Sequence, residues 1–322
     1  MMSEFDLIDR YFTRATRQAT LGVGDDCALL TPSPGMQMAI SSDMLVEGRH
    51  FFPGADPRKL GHKCLAVNLS DLAAMGAKPL AFTLALALPE ACAAWLAEFS
   101  AGMFALADQH DCELIGGDTT KGPLNICITI FGEVAPGQAL RRDAAKVGDD
   151  IWVSGTLGEA RLALAAYRGE LALDPGKLEA ASARMHTPMP RIELGLALRN
   201  ICHAAIDISD GLLGDLGHVL QRSNVGASIN ADALPAGPML ALQSVDLRRN
   251  FALAGGDDYE LCFFASASRR DAVLAAAQTA ATTVTRIGSI ESAPGLHLHD
   301  ADGAALDLQA LHLSSFDHFT SP

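Results

Sequence analysis

Short aliphatic and β-branched runs alternate along the chain with longer segments in which apolar residues recur at helical spacing. In the first half, this pattern predicts helices over 4–13, 57–77 and 91–110, and strands over 38–42, 80–88, 113–115 and 125–134. In the second half, it predicts strands over 151–154, 204–208, 227–230, 259–265 and 284–290, and helices beginning at 157 and over 190–200, 212–222 and 268–280. Helices and strands that alternate in this way indicate an α/β (α+β) fold.

A domain boundary is predicted in the segment 136–150, PGQALRRDAAKVGDD. This segment is polar, contains Gly and Pro and shows no periodicity of apolar residues. A length of 322 residues corresponds to about two domains. We therefore expect one α/β domain over 1–145 and a second over 146–322.

Composition and charge exclude several classes of protein. The formal net charge is −14, from 24 Lys plus Arg and 38 Asp plus Glu, which disfavours non-specific binding to nucleic acid. The most apolar stretch, 80–88, is far shorter than the roughly 20 residues of a membrane span, and the charged segment 1–12 is unlike a signal peptide. Seven cysteines without a CxxC pair indicate free thiols, so we expect a cytoplasmic protein.

Aspartates next to glycine or serine recur five times along the chain. The five clusters are Gly22–Asp26, Ile40–Asp43, Ile115–Thr120, Ile206–Gly211 and Ala254–Glu260. An Asp at the end of a strand projects into the crevice where α/β sheets bind ligands, and adjacent glycines let backbone N–H groups approach an anion. Carboxylates without His or Cys favour Mg²⁺, which is usually shared with substrate phosphates. The pattern therefore favours phosphoryl transfer assisted by metal ions.

Each cluster taken singly also fits a turn or a helix N-cap, which are the commonest uses of Asp. We interpret Gly148-Asp149-Asp150, which precedes a strand, as a turn of this kind, and expect replacement of Asp149 to be close to neutral. Asp71 differs because it lies in a mostly apolar helix and shares a face with Asn68. A buried carboxylate needs a partner, either a metal site or a neighbouring loop that it caps.

Known nucleotide and hydrolase motifs are missing from the sequence. It has no GxxxxGK[ST] loop, no GxGxxG fingerprint, no GxSxG elbow, no HExxH and no protein-kinase HRD or DFG signature. An ATP-dependent enzyme of this sequence must therefore hold the nucleotide in another way.

The chain resembles the thiamine-monophosphate kinase family, of the superfamily that includes aminoimidazole ribonucleotide synthetase and selenophosphate synthetase. The resemblance extends from Leu21 to Phe319. Its most specific motifs are NLSDLAAMGA (68–77), LIGGDTT (114–120), IDISDGL (206–212) and GGDDYEL (255–261). It implies ATP-dependent phosphorylation of thiamine monophosphate to thiamine diphosphate, by direct in-line transfer assisted by several Mg²⁺ ions. It also implies an N-terminal α/β domain that binds ATP and Mg²⁺ and pairs in a homodimer, and a C-terminal α/β domain that completes the active site.

The same resemblance implies roles for individual residues. Implied Mg²⁺ ligands are Asp26, Ser42, Asp43, Asp71, Asp118, Asp207 and Asp210. Implied nucleotide contacts are Gly117, Asp118, Arg142 and Ser209, with Asp210 and Arg142 in the catalytic roles. Implied contacts to thiamine monophosphate are His50, Asp258 and Phe316. Two points stay open, namely whether Asp25 also binds metal and whether Arg141 or Arg142 meets the nucleotide.

The chemistry of the residues agrees with this implication. A phosphate monoester is largely a dianion at neutral pH, so the acceptor requires no general base. On the residues alone, however, His50 also fits an ordinary loop histidine, Arg142 also fits a solvated arginine, and Phe316 is more typical of a core aromatic residue.

Two other functions are alternatives. One is another ATP-dependent synthetase of the same superfamily. Selenophosphate synthetases carry a reactive Cys or selenocysteine before the first aspartates, whereas Cys27 follows Asp26 here. The other is a non-catalytic acidic metal-binding protein, although the sequence contains no EF-hand loop.

Overall fold

A computed structural model describes residues 3–307 of the chain. Its helices are α1 (Glu4–Tyr11), α2 (Pro57–Ala74), α3 (Ala93–Gln109), α4 (Glu159–Tyr167), α5 (Pro175–His186), α6 (Ile192–Ala197), α7 (Leu212–Ser223), α8 (Val245–Ala254) and α9 (Arg270–Thr279). Its strands are β1 (Ala19–Leu21), β2 (Leu29–Leu30), β3 (Gln37–Val46), β4 (Lys78–Leu88), β5 (Glu113–Lys121), β6 (Asn125–Val134), β7 (Asp149–Ser154), β8 (Ala204–Asp207), β9 (Gly226–Asn230), β10 (Leu261–Ser266), β11 (Val284–Glu291), β12 (Gly295–His299) and β13 (Ala305–Leu306). The predicted α/β class is confirmed, and none of these helices is long and apolar enough to cross a membrane.

The first of two compact units contains the chain up to Leu72 together with Ala77–Gly137. Its main sheet has the order β3-β6-β4-β5, in which β6 is antiparallel to both neighbours and β4 is parallel to β5. Because side chains alternate between the two faces of a sheet, this sheet has one buried and one open face. Helix α2 packs on the buried face, where Leu72 approaches Gly132 of β6. On the open face of β3, Ile40 and Met44 are 62% and 53% exposed.

Glycines allow α2 and α3 to approach each other closely. A Cβ on Gly61 would lie 2.0 Å from the carbonyl oxygen of Phe99, and one on Gly102 would lie 1.9 Å from that of Arg58. No side chain fits at either position, so the helix backbones make direct contact. This contact holds α2 in place behind the sheet.

The second unit contains Ala73–Gly76 and the chain from Gln138 onward. Its sheet has the order β13-β12-β9-β11-β7-β10-β8, with a parallel pair at β9–β12. The inner strands carry the core, because every residue of β7 is buried and all of β10 is buried except its last residue. A second apolar cluster joins α4, α5 and α8 through residues such as Leu162, Met185 and Phe251.

The structure corrects several predicted elements. Helices α5 and α8 and strands β12 and β13 were not predicted from the sequence pattern. Strand β5 continues through Gly116 and Gly117 instead of ending at residue 115, because its pairing with β4 runs on to Lys121. Strand β3 likewise continues to Val46. Asp43 and Asp118 therefore lie within strands, not at strand ends.

Candidate active site

In the first unit, Asp43 of β3 and Asp71 of α2 both take part in the contact between this strand and this helix. The hydroxyl of Ser41 donates a hydrogen bond to the carboxylate of Asp71. The backbone N–H of Asp43 donates to Oδ1 of Asn68 at 3.1 Å. Ser41 and Asp43 are two positions apart, so their side chains lie on the same face of β3. The structure thus brings two of the implied metal ligands to the α2 side of the sheet.

Asn68 supports this arrangement, a role that the sequence alone does not indicate. Its side chain is fully buried, and its Nδ2 donates to the carbonyl oxygen of Cys64 at 2.9 Å. Strand β3 is an edge strand, where alternate backbone N–H groups have no partner in the sheet. Asn68 supplies such a partner to Asp43 and thereby fixes the backbone of that residue.

Ser42 lies on the other face of β3. Its hydroxyl is 2.9 Å from Oγ1 of Thr129 and donates to the carbonyl oxygen of Ile128 at 3.2 Å. The alternation of side chains along a strand accounts for this orientation. The hydroxyl of Ser42 is therefore not on the side where Asp43 and Asp71 lie.

Asp118 lies on the opposite edge of the same sheet. It is exposed on β5 and pairs in register with Ala85 of β4. Gly117 beside it has a φ of 148°, and a Cβ there would lie 1.9 Å from the carbonyl oxygen of Leu84. The glycine is thus required for the close approach of β5 to β4 at Asp118.

Two further predicted residues of this unit lie in loops. Asp26 is exposed between β1 and β2, and its backbone N–H donates to Oδ1 of Asp25 at 2.8 Å. His50 follows β3, where its Nδ1 accepts from the backbone N–H of Val46 at 3.0 Å. An Nδ1 that accepts a hydrogen bond leaves the proton of the neutral ring on Nε2.

In the second unit, two acidic loops are joined by backbone hydrogen bonds. The loop 207–211 begins at the last residue of β8, and the loop 255–260 precedes β10. Three bonds of 2.8 Å connect them, in which Ile208, Asp257 and Tyr259 donate to the carbonyl oxygens of Glu260, Ser209 and Ile208 respectively. The pairing of β8 with β10 thus continues beyond the strands and brings the loop that carries Asp207, Ser209 and Asp210 beside the loop that carries Asp258.

Asp215 of α7 is a buried carboxylate behind the first of these loops. Its Oδ2 accepts from the backbone N–H groups of Ser209 and Asp210, at 3.0 and 3.1 Å. The pKa of the Asp215 carboxyl is raised to about 7, chiefly by burial and in addition by the negative charge of Asp210. The two backbone N–H groups and the charge of Arg142 act in the opposite direction.

The two neighbouring arginines differ in their surroundings. The guanidinium of Arg141 pairs with Asp143 through two bonds of 2.9 and 2.5 Å. Arg142 instead acts electrostatically on Asp215, and its carbonyl oxygen accepts from the hydroxyl of Ser223 at 2.9 Å. Of the two arginines, Arg142 is therefore the one whose charge acts on Asp215, the residue that binds the loop 207–211.

Asp258 and Glu260 are both buried and have different partners. Both carboxylate oxygens of Asp258 accept from the backbone N–H of Gly158, at 2.9 and 3.1 Å. Burial raises the pKa of the Asp258 carboxyl well above its ordinary value, although the Gly158 bond lowers it. Glu260 accepts from Arg184 and Arg191, and from the hydroxyl of Ser154 at 2.5 Å. Glu260 therefore anchors the end of the loop 255–260.

The interpretation of Asp149 and Asp150 as residues of a turn needs correction. The turn exists, since the backbone N–H of Asp149 donates to the carbonyl oxygen of Lys146 at 2.9 Å, but both aspartates belong to β7 and are buried. Asp149 contacts Nδ1 of His203 at 2.9 Å, and Asp150 pairs with Arg270 at 2.5 Å. These two carboxylates stabilise the second unit, so their replacement is not neutral for stability.

Phe316 lies outside residues 3–307. Within that range, no three His, Cys, Asp or Glu side chains lie close enough together to hold a metal ion. The implied ligands are distributed instead: Asp43 and Asp71 lie on the α2 side of the first sheet, Ser42 on its other face, Asp118 at its opposite edge and Asp26 in a loop, and Asp207 and Asp210 lie in the second unit.

Comparison with known proteins defines the class. Residues 24–134 match the profile of the AIR synthase related protein N-terminal domain, and residues 146–301 match that of the C-terminal domain. The chain is 44% identical over 326 residues to thiamine-monophosphate kinase of Escherichia coli O157:H7, covering 99% of both chains. It is 40% identical to the enzyme of the same name from Haemophilus influenzae, covering 99% of this chain and 98% of the other.

Solved structures agree with these sequence matches. A crystal structure of thiamine-monophosphate kinase from Stenotrophomonas maltophilia K279a superposes with a TM-score of 0.85 and 50% identity, covering 95% of this chain and 98% of the other. A structure described as AaThiL complexed with AMPPCP and TMP has a TM-score of 0.76 and 28% identity, covering 90% and 89%.

The chain is therefore an AIR synthase related protein with both the N-terminal and the C-terminal domain of that class. Within that class, the chain belongs to the thiamine-monophosphate kinase family. It is therefore an enzyme of the phosphotransferase class whose acceptor is a phosphate group.

Proposed function

We propose that the chain transfers the γ-phosphoryl group of ATP directly to thiamine monophosphate, forming thiamine diphosphate and ADP. The observation that carries this proposal is the similarity over nearly the whole chain to thiamine-monophosphate kinases, one of which was solved with AMPPCP and TMP. The loops 207–211 and 255–260 support it, because they hold the implied nucleotide and substrate residues in one hydrogen-bonded unit. Residues 1–145 would bind ATP and metal, and the remainder of the chain would complete the site.

The donor set fits Mg²⁺. Asp43, Asp71, Asp207 and Asp210 offer hard carboxylate oxygens, and the implied set contains no His or Cys. Asp210 and Asp215 repel each other, and a bound cation would offset that repulsion. These aspartates, with Asp26 and Asp118, would hold the ions. When bound, Mg²⁺ would neutralise charge on the phosphates of the two substrates.

The chain's own residues would orient the reactants. Ser209 and Gly117 would contact the nucleotide. The backbone of Ser209 is fixed by its hydrogen bond to Asp215, and that of Gly117 by its close contact with Leu84. Arg142, associated with the same loop as Ser209, would stabilise negative charge on the transferred group. His50 and Asp258 would bind thiamine monophosphate, with Phe316 stacking on the ring. Because the acceptor is a dianion, orientation and charge stabilisation would supply most of the rate.

We further propose that the protein acts as a homodimer formed through the four-stranded sheet. β3 and β5 are opposite edges of that sheet, so Asp43 and Asp118 of one chain lie three strand spacings apart, about 14 Å. One metal ion cannot bridge that distance. A second chain whose β5 lies beside β3, and whose sheet packs against the open face of this one, would bring these two ligands together and cover Ile40 and Met44.

A coupled ADP assay tests the proposed activity. With MgATP and thiamine monophosphate, we expect ADP and thiamine diphosphate in equal amounts, and no turnover with thiamine, which lacks the acceptor phosphate. ADP release that depends on a different acceptor would instead favour another synthetase of the superfamily. Thermal stabilisation by Mg²⁺ or Ca²⁺ without any turnover would favour a metal-binding protein. The seven free thiols suit a reducing compartment, so we place this activity in the cytoplasm.

A further inference from the structure

The buried carboxylate of Asp215 holds the backbone of the loop 207–211. Asp215 is 4% exposed, and a single oxygen, Oδ2, accepts both the Ser209 and the Asp210 N–H groups. These two groups precede the N-terminus of α7, beyond the reach of intrahelical hydrogen bonds. Asp215 therefore binds two consecutive backbone donors that the helix itself does not bind.

The geometry of the loop depends on this contact. Gly211, between the loop and α7, has a φ of 112°, a backbone conformation that glycine adopts readily. The N–H of Asp215 donates to the carbonyl oxygen of Gly211 at 3.0 Å, so the backbone and side chain of Asp215 together bind three consecutive residues of the loop. Loss of the carboxylate would leave two N–H groups in a mostly buried position without their acceptor, and the loop would change its conformation to hydrate them.

We propose that Asp215 is a positioning residue of the reaction: by fixing the N–H groups of Ser209 and Asp210, it orients Ser209 toward the nucleotide and Asp210 toward metal. This inference rests on the proposed function, in which those two residues bind nucleotide and metal. Asp215 itself touches neither reactant. Its side chain acts through hydrogen bonds accepted by one oxygen, so an amide at this position can replace the carboxylate.

Substitutions at Asp215 distinguish this positioning role from direct metal binding and from a purely structural role. Asp215→Asn retains an oxygen that can accept both N–H groups, whereas Asp215→Ala removes it. Asp215→Ser, a second variant in case the alanine protein does not fold, keeps a polar atom but is too short to reach both groups. Asp149→Ala is the matched control, because Asp149 is also a buried aspartate of this unit and lies outside the proposed site.

The experiment measures turnover, Mn²⁺ affinity by electron paramagnetic resonance in the presence of ATP, and thermal unfolding, all on the full chain. We expect Asp215→Ala and Asp215→Ser to lower kcat and Mn²⁺ affinity by on the order of 10- to 100-fold. Asp215→Asn should remain within about threefold of wild type. Asp149→Ala should lower the unfolding temperature without changing Mn²⁺ affinity.

Two results would overturn the inference. If Asp215→Asn loses as much Mn²⁺ affinity as Asp215→Ala, the carboxylate of Asp215 is itself a ligand of the metal ion. If Asp215→Ala and Asp215→Ser fold and keep wild-type kcat and Mn²⁺ affinity, the contact is structural only. Failure of the proposed function is distinguishable from both, because the wild-type protein would then release no ADP with thiamine monophosphate.

Discussion

Asn68 and Asp43 form a side-chain to backbone hydrogen bond of 3.1 Å that fixes an edge strand at an implied metal ligand. Asn68→Ala would remove the acceptor of the Asp43 N–H and the donor to Cys64. We expect the free energy of unfolding to fall by about 1–3 kcal/mol and the apparent Mg²⁺ affinity to weaken, because buried polar groups lose their partners. Chemical denaturation and a Mg²⁺ titration of turnover measure the two effects.

Asn125 provides the control for this prediction. It lies at the start of β6, and its amide contacts the sulfur of Met44 at 3.5 Å. Asn125→Ala should change the free energy of unfolding by less than about 0.5 kcal/mol and leave the Mg²⁺ dependence unchanged. Equal effects of the two substitutions would contradict a specific role for Asn68.

Asp118 and Asp210 are the acids whose loss should affect turnover most directly. Asp118→Ala and Asp210→Ala each remove an implied metal ligand that is exposed or half-buried, so we expect turnover at least about 100-fold lower with the unfolding temperature nearly unchanged. Near-normal turnover of either variant at saturating Mg²⁺ would refute the role assigned to that residue. Asp149→Ala should show the reverse pattern, with lower stability and retained turnover.

Gly117 tests the close approach of β5 to β4. Gly117→Ala would place a Cβ 1.9 Å from the carbonyl oxygen of Leu84 on a backbone with a φ of 148°. We expect a loss of about 2–4 kcal/mol in the free energy of unfolding, from steric overlap and backbone strain. The neighbouring Gly116→Ala is a matched control, since its Cβ would meet Thr83 at 3.8 Å. A loss as large at Gly116 would show that the overlap at Gly117 is not the cause.

Ile40 tests the proposed dimer. Ile40→Lys places a charge on the open face of β3, where the partner chain would cover it, and should convert a dimer of twice 33.8 kDa into monomers in sedimentation experiments. Turnover should fall with the dimer. Leu242→Lys is the control, because Leu242 is 65% exposed and belongs to the second unit. A wild-type protein that sediments as a monomer while active would exclude the shared site.

The ion pairs of Asp150 with Arg270 and Arg286 predict that the stability of the protein depends on pH. Hydrogen bonding to Arg270 lowers the pKa of the Asp150 carboxyl below its ordinary value, and Arg286 adds to the effect, while burial opposes it. Because the pKa is lower in the folded state, this contribution is complete above the unfolded pKa of about 3.9 and is lost as the pH falls through the folded pKa. Asp150→Asn should therefore destabilise the protein by about 1–3 kcal/mol at pH 7 and have little effect near pH 2.

Denaturation curves of wild type and variant between pH 2 and pH 7 measure this difference. Asp271→Asn, an exposed residue of α9, is the control and should give a curve parallel to that of wild type. A constant offset between wild type and Asp150→Asn across the whole range would show that packing, not charge, makes the contribution of Asp150.

The strongly periodic elements were predictable from the sequence, and the less periodic ones were not. Helices α2 and α3 and strands β4 and β6 carry long apolar patterns that identify them directly. Helix α5 has few large apolar residues, although Asp174 caps it and Pro175 occupies its first turn, a signal that would have identified its start. The prediction ends β5 at Ile115, whereas the strand continues through Gly116 and Gly117, and Gly117 permits the close contact with β4.

The candidate site was predictable in its residue types but not in its geometry. The aspartate motifs identified the loops, but alternation along β3 separates Ser42 from Asp43, and strand order separates Asp43 from Asp118. The supporting residues Asn68, Asp215 and Glu260 were not selected as site residues, although each lies within or next to a selected motif. Their contribution depends on burial and backbone contacts, which a single sequence does not reveal.

The hydrogen bonds that join the loops 207–211 and 255–260 have a mechanical consequence. Any rearrangement of this region during turnover must carry both loops as one rigid piece, since three backbone bonds of 2.8 Å would otherwise break. A chimera in which only one of the two loops comes from a distant homologue would no longer match the other loop. Redesign of acceptor selectivity in this enzyme would therefore have to transplant both loops together.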